Sequence, residues 1–537
     1  MLTSARSSRE AVANSTASVP AGTAASQYML FGLALATWME FYTYDGVNLV
    51  LPDMAGTLGI SQDEASWILT TYLSALLFGV PLSIWMAGHV GYLRYIIGSV
   101  VVFAIASIGC ATAPDFGTLL LWRAVQGFAG SGLTMWWRAS VYMLMPLTQR
   151  TGSMMRISII LYLATAAGLV FSGYITDNFG WRLMFLPNLL FAAVAIGLLV
   201  RHFPRVAHLA TARAKAVDKP GIVLLGIALV SLQIVLSRGE IDGWFGSPKI
   251  QLPTWIGLIA VLVFVAWEIS PRNATPLLQL SLIRDRNLQA AIFLGVFAGM
   301  ILSGSIYAVP EFLRNVFPHQ LGATQVGRIM CVYALTAAAI RPLVSQAIAR
   351  FGQRKAIAFA FTMLVCSMLL FARLMTTDTP DTDYVFPLIL YAFCLAPMLS
   401  AIASGTVSKL PLAQQPDAVA IYMTFRQFGA SLGVTLVTIV LDRRETLHSS
   451  RLFEHLHSGG SRAEDWMNRA AQFAIGRGGY TPDQAQHMAV RMLSDEGARQ
   501  AATLAYADAF MFMAGIGLIA LCFVPLMSPS QRAKPKG

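Results

Sequence analysis

The chain has 537 residues, of which 56% are hydrophobic and only 12% are charged, and its formal net charge is +11. An ordinary soluble protein carries about a quarter charged residues, so this balance excludes a soluble enzyme. The Lys and Arg residues occur in short clusters between apolar blocks, which suits anionic lipid headgroups and indicates no nucleic-acid partner.

Apolar blocks of about 20 residues, each long enough to cross about 30 Å of hydrocarbon as a helix, follow one another along the chain. We predict fourteen transmembrane helices, although the seventh and eighth blocks are short and counts of twelve or thirteen stay open from hydropathy alone. Residues 1–27 lack an apolar core and are expected to be a disordered cytoplasmic tail, not a signal peptide. The blocks lie near residues 28–50, 65–88, 92–114, 117–141, 154–177, 181–201, 221–237, 253–270, 288–313, 324–347, 353–375, 384–405, 418–441 and 504–527.

Positive charge collects in the loops that follow even-numbered blocks, for example at residues 201–219 and 350–355. By the positive-inside rule, these loops and both termini are predicted to be cytoplasmic. The long hydrophilic stretch 442–503 is then external, and its segments 461–476 and 482–500 are predicted to be amphipathic helices. This stretch is expected to cap the outer mouth, to dock a periplasmic partner or to be a passive linker.

Five short strings occur in a fixed order along the chain. They are NLVLP at 48–52, ASWILTTYL at 65–73, RAVQG at 123–127, GWRLMFLPN at 180–188 and TFRQFGASLG at 424–433. Together they resemble the major facilitator superfamily and, within it, the 14-span drug:proton antiporters of the EmrB/QacA type. The resemblance covers most of residues 30–525.

The resemblance implies an all-α membrane protein with the major facilitator fold, in which two six-helix bundles are joined by two inserted helices and rock against each other. The implied divisions are a tail at 1–27, an N-terminal bundle at 28–203, a linker with two extra transmembrane helices at 204–287, a C-terminal bundle at 288–527 that includes the external loop 442–503, and a cytoplasmic tail at 528–537.

Three family motifs are altered in this chain. The fifth block reads GLVFSG at 168–173 where the family has GPxxGG, so Gly168, Ser172 and Gly173 are expected to keep helix packing without the proline hinge. In the first block, the usual acid is displaced by two positions, to Asp45. The cytoplasmic loop motifs are kept in part, and the matching residues are Gly91, Arg94, Arg350, Gly352 and Arg354.

Ionisable residues inside the first block are functional candidates, because a charge at mid-membrane costs from a few to about ten kcal/mol. Glu40 and Asp45 lie five residues apart, about 140° around a helix, so we expect one to face the cavity and the other a neighbouring helix. We assign proton coupling to both acids, and the family resemblance adds Arg123. The alternatives are a structural hydrogen-bonded acid and, for Arg123, snorkelling to the interface.

Aromatic and cationic side chains near these charges predict a substrate cavity. Trp136 and Trp137 are expected to lie in the interfacial aromatic belt. Glu311 and Arg314 are expected to form a local ion pair, and Asp508 is expected at the membrane interface. The residues assigned to the cavity are Trp38, Tyr42, Tyr44, Arg138, Arg341, Arg426 and Gln427.

The sequence contains no Walker-type loop and no HExxH or GxSxG motif on a plausible scaffold, so we predict no enzyme activity and no cofactor. The histidines of the external stretch lack a second ligand cluster, so no metal site is expected. The leading hypothesis is a proton-coupled exporter of drugs or amphiphilic small molecules in the inner membrane. Its candidate partners are a periplasmic membrane-fusion adaptor and an outer-membrane channel. The alternatives are a dedicated exporter of one metabolite, such as a siderophore or aromatic acid, and a non-transporting scaffold or sensor.

Overall fold

The protein, seen in a computed structural model, is almost wholly helical over the part of the chain that the structure describes. The predicted terminal tails lie outside the described residues up to residue 23 and from residue 528 onward, as does most of the linker at 205–217. The described residues are 24–204, 218–239, 242–273, 276–317, 321–376, 379–407, 410–411, 414–457, 461–478 and 480–527.

Fifteen α-helices follow one another within these residues. A 3-10 turn, Trp181–Phe185, leads into the sixth helix, and a π turn, Phe312–Val316, follows the ninth. The helices are α1 (Ala24–Leu58), α2 (Gln62–Val90), α3 (Tyr92–Thr112), α4 (Phe116–Leu144), α5 (Leu147–Phe179), α6 (Pro187–His202), α7 (Lys219–Arg238), α8 (Pro248–Ile269), α9 (Arg286–Glu311), α10 (Ala323–Phe351), α11 (Gln353–Leu374), α12 (Val385–Val407), α13 (Gln415–His457), α14 (Ser461–Gly478) and α15 (Pro482–Phe523).

Twelve helical segments of the described chain are long and apolar enough to cross a membrane. Helices α1 and α4 are not among the twelve, although they contain 35 and 29 residues. These two helices carry buried charged side chains, Glu40 and Asp45 on α1 and Arg123 on α4. With α1 and α4 included, the predicted count of fourteen membrane helices fits the structure.

Helices α1 to α6 pack together as one bundle, and α9 to α13 with α15 form a second. The two bundles meet where α5 packs on α10 and where α2 packs on α13. Helices α7 and α8 pair with each other, and α7 lies against both α2 and α13. The inserted hairpin therefore sits beside one of the two seams between the bundles.

Single glycines separate helices at equivalent places in the two bundles. Gly91 lies between α2 and α3 with φ 95°, and Gly352 lies between α10 and α11 with φ 84°. Residues with a side chain are strained at such positive φ values, so glycine is required at both breaks. The other predicted motif residues, Arg94, Arg350 and Arg354, flank the two breaks and are exposed.

The stretch 442–503, predicted to be external, is more regular than predicted, because it extends two long helices. Helix α13 has 43 residues, about 65 Å, and α15 has 42. Of the two predicted amphipathic segments, 461–476 matches α14, whereas 482–500 is the first half of α15. Asp508, which is predicted to lie at the membrane interface, places its carboxylate 2.9 Å from Nε2 of His448 and 3.6 Å from Nε of Arg444, so it joins α15 to α13.

The prediction that Trp136 and Trp137 lie in an interfacial aromatic belt is wrong. The two residues are 1% and 3% exposed and pack in a buried cluster with Met29 and Leu33 of α1. The Trp136 ring also meets the edge of Tyr92, with 4.7 Å between the centroids. The two tryptophans therefore pack against neighbouring helices and not against lipid.

Candidate functional site

A cavity of about 120 Å³ lies between the two bundles. Its walls come from α1, α2, α4 and α5 of the first bundle and from α9, α10, α12 and α13 of the second. The predicted site residues that line it are Glu40, Tyr44, Asp45, Arg138, Arg426 and Gln427.

Both acids of α1 face this cavity, although they lie on different sides of their helix. Glu40 is 8% exposed and lies beside Thr134 of α4, and Asp45 is 3% exposed and lies beside Thr165 of α5 and Tyr333 of α10. The expectation that only one acid faces the cavity is therefore wrong. Helix α1 stands between the bundles, so the cavity reaches both of its sides.

Cationic side chains from both bundles reach the same cavity. Arg138 of α4 places its guanidinium 4.2 Å from the ring centroid of Trp137 and donates to the carbonyl of Thr134 at 3.0 Å. Arg426 of α13 donates to Oε1 of Gln427 at 3.4 Å. Both arginines interact electrostatically with Glu40. A carboxylate of one bundle thus faces a guanidinium of the other across the cavity.

Arg123 lies outside the cavity, in a network of buried side chains. It donates to Oε1 of Gln126 at 2.6 Å, and Nε2 of Gln126 donates to Ser107 of α3 at 2.9 Å. Asn188 of α6 donates to Ser107 at 3.1 Å and to Thr43 of α1 at 2.9 Å. The network joins four helices of one bundle, and Arg123 is fully buried, so snorkelling is excluded.

Tyr72 of α2 connects this network to the cavity. The Arg123 guanidinium carbon lies 4.2 Å from the Tyr72 ring centroid. The Tyr72 hydroxyl and Glu40 both approach Gly130, since a Cβ added there would lie 2.9 Å from Oη of Tyr72 and 3.5 Å from Cγ of Glu40. Arg123 is therefore linked to Glu40 through an aromatic ring, a geometry in which cation–π attraction stabilises a buried guanidinium.

Three predicted cavity residues do not line the cavity. The Trp38 ring packs on Phe191 of α6, with 5.3 Å between the centroids. Tyr42 is 1% exposed and packs against α5. Arg341 is also buried and donates to a serine hydroxyl one turn further along α10, at 3.1 Å.

The altered motif of α5 makes close helix contacts. A Cβ added at Gly168 would lie 2.6 Å from the Tyr42 carbonyl oxygen of α1, and one added at Gly173 would lie 2.5 Å from the Ala323 carbonyl oxygen of α10. Ser172 between them is fully buried. Small residues at these positions let α5 touch its own bundle on one side and the other bundle on the opposite side.

The expected ion pair between Glu311 and Arg314 is also wrong. The Arg314 guanidinium binds both carboxylate oxygens of Asp53 on α1, whereas Glu311 accepts a hydrogen bond from Asn315 at 2.5 Å. Residues 312–316 form a π turn, so the regular spacing that brings residues three apart onto one helix face does not hold here.

Sequence reasoning missed several residues of this arrangement. Tyr72, Gln126 and Asn188 lie inside the family-like strings, so their place in the motifs was a usable signal. Ser107 and Tyr333 lie outside those strings and gave no signal, because a single serine or tyrosine in an apolar helix is common.

Two six-helix bundles around a cavity that both of them line, with charged side chains in its wall, define an α-helical membrane transporter. The chain belongs to the Major Facilitator Superfamily, whose family model matches residues 33–434. The predicted fold class and the predicted resemblance are confirmed.

Known relatives match most of the chain. The multidrug export protein EmrB of Escherichia coli K12 is 26% identical over 505 residues, which cover 93% of this chain and 95% of the relative. The probable multidrug resistance protein EmrY of the same strain is 28% identical over 421 residues, or 78% and 81%. A crystal structure of the peptide transporter POT in complex with sulfate has a TM-score of 0.59 at 14% identity, over 93% of this chain and 95% of that chain, and shows the shared fold.

Proposed function

We propose that the protein is a proton-coupled secondary active transporter that exports drugs or other amphiphilic small molecules across the inner membrane by alternating access. The observation that carries this proposal is the shared cavity, in which Glu40 and Asp45 of one bundle face Arg426 of the other. Its similarity to the multidrug export protein EmrB and the probable multidrug resistance protein EmrY supports drugs as the substrate class.

The cavity supplies a physical reason for proton coupling. A carboxylate at membrane depth is stable when it carries a proton or faces a cation. Glu40 belongs to the first bundle and Arg426 to the second, so rocking of the bundles changes the distance between them. Glu40 is therefore stable without a proton when Arg426 is close, and it needs a proton when Arg426 is far away. Arg123 acts on the same acid through Tyr72 and is a positioning residue.

Apolar and aromatic side chains surround these charges. Phe41, Leu73 and Leu302 line the cavity together with Tyr44 and Tyr162. Such surfaces accept the apolar body of an amphiphile without fixing one shape, because dispersion and stacking are weakly directional. This composition favours a range of amphiphilic substrates over one polar metabolite.

The proposed topology places both termini in the cytoplasm of a multi-pass inner-membrane protein. The bundles 28–203 and 288–527 are then the two moving units, and 204–287 links them. The helices α13 to α15 project on the periplasmic side, where they offer a surface for a membrane-fusion adaptor that leads to an outer-membrane channel.

Glu40→Gln and Asp45→Asn, made separately, test this function in everted vesicles energised with a proton gradient. At least one variant should lose proton-driven accumulation of a fluorescent amphiphilic dye by about tenfold or more, the usual size of a coupling between two ligands. The same variant should still equilibrate the dye without a gradient.

Asp383→Asn is the matched control, because this carboxylate is exposed in the turn before α12. Its accumulation of dye should equal that of the wild type. Full proton-driven accumulation by both cavity variants would contradict the proposed coupling role of α1.

A further inference from the structure

An ion pair joins the two bundles at one end of the molecule. Asp53 lies near the end of α1, and Arg314 lies in the π turn that follows α9. The guanidinium contacts both carboxylate oxygens, with 2.8 Å from Nη2 to Oδ1, and also donates to the Leu49 carbonyl at 3.1 Å. The Asp53 side chain is 29% exposed, and the Arg314 side chain is 11% exposed. Two-pronged pairing of this kind fixes geometry more strongly than a single contact does.

A second carboxylate joins the bundles at the same end. Asp177, in the last turn of α5, accepts hydrogen bonds from the backbone amides of Ala323 and Thr324, at 3.2 Å and 2.8 Å, and from the Thr324 hydroxyl. These are the first amides of α10. Gly322 occupies the N-cap position and has no side chain to accept them. The cap that a helix usually receives from its own chain neighbour comes here from the opposite bundle.

Close backbone contacts surround these two polar links. A Cβ added at Gly173 would lie 2.5 Å from the Ala323 carbonyl oxygen, and one added at Gly327 would lie 3.2 Å from a methyl carbon of Leu49. Helices α1, α5 and α9 all end at this side, and α10 begins there. In the proposed topology this is the periplasmic side.

We propose that Asp53–Arg314 and Asp177 with the start of α10 form a two-part latch that closes the periplasmic side, and that the latch must open for substrate to leave. This inference rests on the proposed transport function and orientation. In both parts the first bundle supplies the carboxylate and the second bundle supplies the donors. Separation of the bundles at this end therefore breaks both parts together and exposes all the freed groups to water.

Solvent access makes such a latch reversible. A deeply buried ion pair leaves an uncompensated charge when it breaks, whereas partly exposed groups are hydrated as they separate. The latch thus biases the equilibrium between closed and open periplasmic states without locking it.

Spin labels at Thr57 of α1 and Gln325 of α10 test the latch, because both residues are exposed at the same end of opposite bundles. The full chain carries Asp53→Asn, Asp177→Asn or both, in a background without native cysteines, and the distance distribution is measured by double electron–electron resonance. Each single variant should raise the ratio of long to short distances by about fivefold, and the double variant by more.

Asp242→Asn is the matched control. It breaks an Arg–Asp pair, with 3.1 Å between Nε of Arg238 and Oδ2, that joins the last residue of α7 to the turn after it and crosses no bundle seam. Its distance distribution should equal that of the wild type.

The charge-swapped chain, Asp53→Arg with Arg314→Asp, should return most molecules to the short distance. The latch proposal would be wrong if the double variant of Asp53 and Asp177 left the distance distribution unchanged. It would also be wrong if the control shifted the distribution as far as the latch variants do. The measurement needs no substrate, so it separates a failure of the latch from a failure of the proposed export.

Discussion

The two bundles of this protein both contain close helix contacts at glycines, such as Gly168 in the first bundle, but they differ in a network of buried polar side chains. In the first bundle, hydrogen bonds between buried side chains join α1, α3, α4 and α6 around Gln126 and Asn188. In the second bundle, α9 and α13 approach backbone to backbone. A Cβ added at Gly429 would lie 2.7 Å from Cα of Val296, and one added at Gly433 would lie 2.5 Å from Cα of Met300.

This difference indicates a division of labour. Side-chain networks place charged and polar groups at defined depths, which suits the bundle that carries Glu40 and Asp45. Close backbone packing, which both bundles contain, keeps each of them stiff as it moves. Since a single interhelical hydrogen bond in a membrane contributes about 0.6 to 2 kcal/mol, the first bundle should tolerate the loss of one bond better than the second tolerates one added methyl group.

The largest effect is expected for Gly429→Ala in the second bundle. The added methyl group meets the backbone of α9, which cannot rotate aside, so the free energy of unfolding should fall by about 3 kcal/mol. Titration of the purified protein with a denaturing detergent measures this change.

Gly515→Ala on α15 is the control for this substitution, because within the described residues no atom outside the neighbouring backbone of α15 lies within 4 Å of the added methyl group. It should leave the free energy of unfolding unchanged or raise it slightly. Equal losses at the two glycines would show that the close contact at Gly429 does not stabilise the second bundle.

A smaller loss is expected for Asn188→Ala in the first bundle. The substitution removes two hydrogen bonds, to Ser107 and Thr43, whose hydroxyl groups stay buried. The free energy of unfolding should fall by about 1.5 kcal/mol in the same titration. Asn178→Ala should have almost no effect, since that exposed amide bonds only to a carbonyl of its own helix. If Asn188→Ala lowered the free energy of unfolding as much as Gly429→Ala does, the proposed order of the two effects would be wrong.

The smallest effect is expected for Tyr391→Phe in the second bundle. The Tyr391 hydroxyl donates to the Leu302 carbonyl at 3.2 Å, and the ring packs edge-on against Tyr333. The ring contact survives the substitution, so the free energy of unfolding should fall by only about 0.5 kcal/mol. If this loss exceeded that of Asn188→Ala, hydrogen bonds would stabilise the second bundle as much as the first.

Several features of the protein followed from sequence alone. The apolar blocks predicted the membrane helices, and the ordered strings predicted the family. Glu40 and Asp45 stood out as acids within an apolar block. These features can be predicted because they are local properties of a segment. The hydrocarbon layer of a membrane sets how long a spanning segment must be and disfavours charges within it.

Hydropathy also predicted where the membrane helices end, but not where helical structure ends. The predicted external stretch 442–503 contains the continuations of α13 and α15. Backbone hydrogen bonds within a helix form in water as well as in hydrocarbon, so a drop in hydropathy marks the edge of the membrane and not the end of the helix.

Only the tertiary structure decided which side chains meet. It placed both acids of α1 on one cavity, paired Arg314 with Asp53 and not with Glu311, and moved Arg341 away from the cavity lining. These outcomes depend on how each helix is rotated about its axis and on where it crosses its neighbours. Those quantities are set by the packing of all the helices together, and no single segment of sequence contains them.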